Sequence, residues 1–437
     1  MYNKNKFMKK INRVFYGWWM VIAITILFVT GAAAPFAVVL KQLMEQFHTG
    51  RGEVSLSQSI TLIATGITGI FVGRLLHRFS PKSFMLWGSV VTGVSLLLLS
   101  LANGLWLFYF LYLIAGIAAG FNSAIALFTL LSRWFTRKWG TAIGIALTGG
   151  GIGSIIIQPL VGIIAQNYGW RSTYLFAGLL TLIINVPLIV FVLKDNPASM
   201  GLLPDGDRPE DIDHSTNSKP VTRIPAESAG AAVNNRRFSY LKSPAFWLIC
   251  LSFALLSIGY NAVITQQVSL ITDMNVSGTL AALLRGITLG IGAISALLAG
   301  WLADRFVSRY VTILFFVLAV IGMVILIHAG TISGIWFFVV IYGLGTGASG
   351  TLLPIVTRDI FGEAEFSAIF AFALVIVYAG YAIGPPLAGF MYDASGSYHS
   401  IFFIITAITI VAVFGIYFAF GANPKPLVRP SKPKNLT

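Results

Sequence analysis

Apolar runs of about 20 residues recur through the whole 437-residue chain, from Gly17 to Phe420, with only short polar breaks between them. A run of this length is what an α-helix needs to cross the hydrocarbon core of a bilayer. Only 10% of the residues are charged, against about 25% in soluble globular proteins. The pattern excludes a water-soluble enzyme and predicts an all-α, polytopic membrane protein.

We predict twelve transmembrane helices, numbered here as spans 1 to 12 in chain order. Their bounds follow from breaks at glycine, proline and charged residues: 17–43, 55–77, 84–102, 105–132, 140–166, 172–193, 245–271, 277–303, 310–330, 334–357, 364–391 and 399–420. The first run exceeds the apolar core of about 7–15 residues in a signal peptide, so we expect it to stay as a helix.

A polar stretch rich in proline, serine, aspartate and asparagine divides the chain into two halves of six spans. The expected units are the first half, 1–193; a cytoplasmic linker, 194–243; the second half, 244–421; and a cytoplasmic tail, 422–437. The halves repeat each other at an offset of 227 residues, which aligns Gly73 with Gly300, Pro159 with Pro386, Gly162 with Gly389, Gly169 with Gly396 and Phe176 with Phe403. Two pseudo-symmetric six-helix halves around a central site are typical of transporters.

The distribution of basic residues predicts the orientation. With the N-terminus in the cytoplasm, 25 of the 29 lysines and arginines face the cytoplasm, and only Lys41, Arg51 and Arg171 lie outside. This asymmetry predicts that both termini and the linker lie on the cytoplasmic side of a cell membrane. It also explains the net charge of +14 without nucleic acid. The single cysteine, Cys250, excludes a disulfide framework or a cysteine metal site, and we predict no metal or cofactor.

The segment Gly300-Trp301-Leu302-Ala303-Asp304-Arg305 resembles the signature between spans 8 and 9 of the major facilitator superfamily, and 73–78 resembles its degenerate first-half copy. The copy has His77 where the family usually has aspartate. The resemblance implies the major facilitator fold. It also implies a conformational latch at the cytoplasmic ends of the halves, where a carboxylate faces arginines, although solvated loop charges are the alternative. The latch residues would be Gly300, Asp304, Arg305 and Arg78.

Other segments resemble one branch of that superfamily, the monocarboxylate transporters and oxalate–formate antiporters. They are 16–18, 137–144, 149–153 with Pro159, 169–171, and Pro197 with 201–206. This resemblance implies an arginine in span 8 that faces a central cavity. The sequence departs from the branch in span 1 and span 8, where Ala34 and Ala281 replace a lysine and an aspartate, and span 11 lacks the lysine of oxalate–formate antiporters.

Arg285 is the one ionisable residue deep inside a predicted span. It lies about 13 Å from the outer end of span 8, close to the bilayer centre, where an unpaired charge costs several kcal/mol. No intramembrane carboxylate is predicted, so the expected partner is an anionic substrate, and a guanidinium fork suits a carboxylate. The alternative is that Arg285 bonds backbone carbonyls and water and only holds helices together.

Several polar side chains are expected near the same cavity, although each could instead form an interhelical hydrogen bond. They are Gln58, the 227-residue counterpart of Arg285, and Asn122, Tyr260, Asn261, Tyr342, Tyr378 and Tyr381.

These features favour a monomeric secondary transporter of a small organic anion, most simply a monocarboxylate, by alternating access, as a symporter or an antiporter and with or without a coupled proton. An exporter of larger amphipathic or drug-like compounds and a non-transporting membrane sensor are the alternatives. Membrane lipid is the other expected partner. An enzyme is not expected, because no nucleophile or metal site with a positioned base lies in the spans.

The predicted orientation can be measured by cysteine labelling in a Cys250→Ala background. Ser215→Cys in the linker and Ser431→Cys in the tail should resist an impermeant reagent added to intact cells and react once the membrane is permeabilised. Asn275→Cys, in the loop after span 7, is the positive control and should react in intact cells. Labelling of Ser215→Cys or Ser431→Cys from outside would contradict both the orientation and the helix count.

Overall fold

The computed structural model describes residues 15–76, 78–122, 124–136, 138–206, 239–362 and 366–421. Most of the predicted linker, the predicted tail and His77 of the first-half motif lie outside these residues. Over the described part, the chain is built from helices joined by short turns.

The first half contains six spans. Span 1 is Tyr16–Gly31 and Phe36–Phe47, span 2 is Arg51–Leu75, span 3 is Pro81–Leu99, and span 4 is Leu105–Phe121 and Ala124–Trp134. Spans 5 and 6 form one helical run, Trp139–Leu180, Thr181–Asn185 and Leu188–Val192, which turns back at Gly169.

The second half also contains six spans. They are Pro244–Asp273, Gly278–Arg305, Ser308–Ile327, the pair Ile332–Gly347 and Ser349–Phe361, Phe366–Ser395, and His399–Gly421. The helix of span 8 begins where the Ser277 hydroxyl accepts a hydrogen bond from Leu280 N, a typical N-cap.

Ten helical stretches of the described chain are long and apolar enough to cross a membrane. One of them, 140–192, counts as two spans because it reverses at Gly169. The remaining span is Arg51–Leu75, which is long enough at 25 residues but carries charges and hydroxyls in its first turns. The twelve predicted spans and the all-α fold are therefore confirmed.

The prediction that spans 1, 4 and 10 are each one continuous helix is wrong. Span 1 is interrupted over 32–35, between Gly31 and Phe36, and span 10 at Ala348. Span 4 is interrupted at Asn122, within one residue of the position that the repeat makes equivalent to Ala348. Pro35 explains the first break, because it cannot donate to the preceding turn and disfavours a helical residue before it.

The internal repeat is visible in the backbone. Gly169 and Gly396 both have positive φ, 78° and 67°, at the turns between spans 5 and 6 and between spans 11 and 12. A residue with a Cβ would be strained there. About two helix turns earlier in each half, Gly162 packs on Ala282 of the other half and Gly389 packs on Gly52. The two halves therefore meet through equivalent helices, span 5 against span 8 and span 11 against span 2.

An even number of spans in each half puts residue 15, residue 421 and the described ends of the linker, 194–206 and 239–243, on one side of the membrane. We call this the linker side, and the opposite side is the far side. Among the described residues, the hydrogen bonds and ion pairs between the halves lie in the far-side half of the molecule. The deepest is the bond from the Ser59 hydroxyl to the carbonyl of Ala382. Hydrogen bonds and ion pairs therefore connect the two halves on the far side. Among the described residues, none connects them on the linker side.

Candidate functional site

Arg285 lies in span 8, seven residues after Gly278 and therefore about 10 Å along the helix axis from the far-side end. Its Nε donates to the carbonyl of Ile264 in span 7 at 3.1 Å. Its Nη1 is buried and has no hydrogen-bond partner. The ion pairs of the described chain join other residues, so no described carboxylate neutralises this guanidinium.

Span 8 is held at this depth by close packing on span 5. Gly286, directly after Arg285, lies against the carbonyl of Ser154, and Gly290 lies against Ile155 and the carbonyl of Gly151. A side chain at Gly286 would collide with the span 5 backbone. Small residues of this kind let two membrane helices approach closely. Because span 5 occupies this face of span 8, the arginine side chain extends towards span 7.

Three predicted tyrosines form a row that begins beside the arginine. Tyr260 of span 7 interacts electrostatically with the Arg285 guanidinium. The rings of Tyr260 and Tyr381 are 6.0 Å apart and perpendicular, and those of Tyr381 and Tyr378 are 6.1 Å apart. Tyr378 is 38% exposed and reaches Gly66 of the other half. The structure thus brings Arg285, Tyr260, Tyr381 and Tyr378 together at the junction of the halves.

The tandem prolines of span 11 set the backbone beside this cluster. Pro385 and Pro386 lack N–H groups, so the carbonyls of Tyr381 and Ala382, four residues earlier, lose their partners within the helix. Asn261 Nδ2 donates to the Tyr381 carbonyl at 2.6 Å, and the Ser59 hydroxyl donates to the Ala382 carbonyl. The first bond stays within the second half, whereas the second joins the two halves.

Two of the other predicted polar residues, Gln58 and Asn122, bond to neighbours away from Arg285. Gln58 hydrogen-bonds the Tyr112 hydroxyl within the first half. Asn122 ends the first helix of span 4, and its amide, in the orientation that satisfies both atoms, bonds the backbone of span 3 at Met85 and Ser89. Tyr342 is 2% exposed and stacks on Phe338 at 5.1 Å inside the second-half core, but it also interacts electrostatically with Tyr260 and Tyr381. The structure therefore brings Tyr342 to the tyrosines beside the arginine, and does not bring Gln58 or Asn122 there.

The four predicted latch residues lie at the linker side. Asp304, Arg305 and Arg78 are exposed, and Arg305 stacks on Trp301 at 4.1 Å. A Cβ added at Gly300 would lie 3.6 Å from Cγ2 of Thr351 in span 10, which is an ordinary contact. Neither ion pair of the described chain includes Asp304, so the latch remains a prediction.

Sequence reasoning missed two features near the junction. Gln158 of span 5 donates to the carbonyls of Ala32 and Ala34 at 2.5 and 3.4 Å, which satisfies the interrupted backbone of span 1. Arg51 is only 4% exposed although it starts span 2. The signal for Gln158 was a glutamine directly before a proline in an apolar run. For Arg51 it was a lone arginine close to Lys41 on the side with few charges.

No group of three or more histidine, cysteine, aspartate or glutamate side chains within the described residues could hold a metal ion. What the chain does offer is a buried cation at the junction of two repeated helical halves. This arrangement defines a membrane transporter.

The family model described as the Major Facilitator Superfamily matches residues 20–358 and 335–436. The chain therefore belongs to the Major Facilitator Superfamily, which confirms the predicted family and makes the protein a membrane transporter and not an enzyme.

Among similar proteins, Monocarboxylate transporter 12-B of Danio rerio is 26% identical over 413 residues, which cover 89% of this chain and 84% of the relative. The uncharacterized MFS-type transporter YcxA of Bacillus subtilis is 27% identical over 356 residues, which cover 78% of this chain and 79% of the relative. Human Monocarboxylate transporter 12 is 25% identical over 92% of this chain and 81% of its own length.

The fold is also similar to a solved structure, that of a bacterial homolog of the human lysosomal transporter Spinster in an inward-facing and occupied conformation. The TM-score is 0.71 with 14% sequence identity, over 94% of this chain and 97% of that one. At this identity the likeness supports the fold alone.

The bond from Asn261 to span 11 gives a first prediction for this site. Asn261→Ala should leave the Tyr381 carbonyl without a partner and lower the free energy of unfolding by roughly 1 kcal/mol, as for other interhelical bonds in membranes. Thermal unfolding of the purified protein measures the change. Asn167→Ala, at an exposed position, is the control and should unfold like the wild type. Unchanged stability of Asn261→Ala would mean that water or another donor replaces this bond.

Proposed function

We propose that the protein is a secondary active transporter that moves a small monocarboxylate across the cytoplasmic membrane by alternating access. The linker side faces the cytoplasm, in keeping with the 25 basic residues predicted there. The substrate class is a short organic acid with one carboxylate, such as a 2-hydroxy or 2-oxo acid. It binds at Arg285.

The observation that carries the proposal is the unpartnered Nη1 of Arg285. A buried donor without a partner costs free energy, and more so when it is charged. The guanidinium already uses Nε for the Ile264 carbonyl, so its terminal nitrogens are left to bind a ligand. A planar carboxylate accepts two parallel bonds from such a fork.

The charge of the site favours one carboxylate over two. Among the described residues, the lysine that the branch carries in span 1 is replaced by Ala34, and span 11 has no lysine at all. A dicarboxylate would bring a second negative charge that no described cation near Arg285 neutralises. The named relatives that are monocarboxylate transporters support the same class of substrate.

The packing between halves supports alternating access. Glycines line the contacts of span 5 with span 8 and of span 11 with span 2, so few side chains interlock between these helix backbones. Each half has its own apolar core, around Trp134 and Phe135 in the first and Phe246 and Phe253 in the second. Two bodies with separate cores can rock against each other without unfolding.

In this proposal, proton coupling acts through the charge of the bound substrate. Arginine does not deprotonate at accessible pH, and the described spans have no carboxylate beside Arg285 that could carry the proton. The anion and one proton should therefore enter together as a neutral pair. In proteoliposomes, uptake of the monocarboxylate should follow an imposed pH gradient and generate no current. Electrogenic uptake that ignores the pH gradient, or obligatory exchange of two anions, would contradict this coupling.

Two substitutions test the binding site itself. Arg285→Lys should fold but bind the substrate roughly ten- to a hundredfold more weakly, because it loses one charge-assisted hydrogen bond of about 1.5–3 kcal/mol. Arg285→Ala should abolish transport. A panel of mono- and dicarboxylates, measured by substrate-induced thermal stabilisation and by uptake, checks both variants.

The matched control is Arg171→Lys, since Arg171 bonds Gln46 and Asn103 at the far-side surface. It should keep wild-type substrate affinity. If Arg285→Ala protein is still stabilised by the acid as the wild type is, Arg285 is not the carboxylate site. If large amphipathic compounds bind and small acids do not, the protein is an exporter of amphipathic or drug-like compounds. Binding without uptake in proteoliposomes would indicate a sensor.

A further inference from the structure

Charged residues from both halves meet at the far side of the molecule. Lys41 lies in the second helix of span 1, Phe36–Phe47, and Arg51 begins span 2, both in the first half. Asp273 ends span 7 and Asp393 lies near the end of span 11, both in the second half. In this cluster, which we call the far-side cluster, the first half contributes the cations and the second half contributes the carboxylates.

Asp273 binds both cations. Its Oδ1 lies 2.6 Å from Lys41 Nζ, and its Oδ2 lies 3.1 Å from Arg51 Nη2. The Asp273 side chain is 33% exposed, whereas that of Arg51 is 5% exposed. An ion pair with one buried partner is screened less by salt than a pair on an open surface.

Asp393 binds the start of span 2 through the backbone. Its two carboxylate oxygens accept hydrogen bonds from the N–H groups of Arg51 and Gly52, at 2.9 and 2.8 Å. These are first-turn N–H groups that have no partner within a helix, and the positive end of the helix dipole favours a carboxylate there. The carboxylate comes from the opposite half, so it caps a helix across the junction.

Two tyrosines enclose the arginine. The Arg51 guanidinium lies 3.5 Å from the centre of the Tyr392 ring, and its Nη1 donates to the Tyr398 hydroxyl. Beneath it, Gln266 of span 7 donates to the Ser55 hydroxyl of span 2 at 3.3 Å. Gly52 and Gly389 bring the backbones of spans 2 and 11 together at the same level. The halves are thus sealed at the far side over two turns of span 2.

We propose that this cluster is the far-side gate of the transporter. It rests on the proposed function, since only a protein that alternates between two open sides has to break these bonds. Separation of spans 2 and 11 would remove Asp393 from the start of span 2 and Asp273 from Lys41 and Arg51. Within the described residues, no ion pair of this kind joins the linker-side ends of the halves. The gate therefore favours the state in which the far side is closed.

The test uses purified protein in nanodiscs without substrate, so that it depends neither on orientation nor on the nature of the cargo. Ser55→Cys in a Cys250→Ala background is the reporter, because Ser55 is fully buried beneath the cluster and contacts the opposite half. The rate of its reaction with a maleimide measures how often the far side opens.

Asp273→Asn combined with Asp393→Asn should raise the labelling rate of Ser55→Cys about tenfold, which corresponds to about 1.4 kcal/mol. Glu53→Gln is the matched control, an exposed carboxylate two residues from Arg51 that is not part of the cluster, and it should change the rate less than twofold. Arg51→Glu should also raise the rate, and addition of Asp273→Arg should lower it again by restoring an opposite-charge pair. An unchanged rate in the Asn variants, or no recovery in the charge-reversed pair, would overturn the gate.

Cys250 supplies a control for unfolding. It is 1% exposed in the second-half core, so it should stay unreactive when the same cluster variants are made in a chain that keeps Cys250 and Ser55. If Cys250 reacts as well, the cluster holds the fold together and is not a gate. The proposed function is tested separately. If the cluster variants label Ser55→Cys faster but the protein binds no carboxylate, the gate is supported and the proposed substrate is wrong.

Discussion

A guanidinium in the middle of the membrane, which no carboxylate of the described residues neutralises, is the constraint on which the rest of this structure depends. Arg285 uses one nitrogen for the Ile264 carbonyl and leaves Nη1 buried and unsatisfied. Removing such a group from water costs several kcal/mol, so the surrounding helices must hold it where a ligand or water can reach it. Gly286 and Gly290 let span 5 fix one side of span 8, and Tyr260 closes another. Residues of spans 5 and 7 thus hold the helix and the side chain of this arginine.

Much of the fold could be predicted from the sequence because a bilayer admits few solutions. Length and apolarity alone determine where a chain crosses, and the 227-residue repeat is confirmed by matching left-handed glycines, Gly169 and Gly396. The interruptions of spans 4 and 10 could not be predicted, because apolar composition does not change at a break. They depend on which neighbour satisfies the freed backbone groups. In span 1 that neighbour is Gln158, more than 100 residues away in the sequence.

The site was predictable to a smaller extent. Arg285 could be identified because it is a single charge in an apolar span. The polar residues around it could not be assigned, since a polar side chain in a membrane bonds the nearest available partner, and sequence does not name that partner. Gln58 bonds Tyr112, Asn122 bonds span 3 and Asn261 bonds span 11. Arg51 was hidden for a related reason: its carboxylate partners are more than 200 residues further along the chain.

The tandem prolines of span 11 also determine where water has to enter the protein. The carbonyl freed by Pro385 is satisfied within its own half, but the carbonyl of Ala382, freed by Pro386, depends on Ser59 of the opposite half. Any movement that parts spans 2 and 11 leaves that oxygen and the serine hydroxyl without each other. Since neither can stay dry and unbonded at low cost, hydration of the cleft must advance at least to the level of Ala382 whenever these two helices separate.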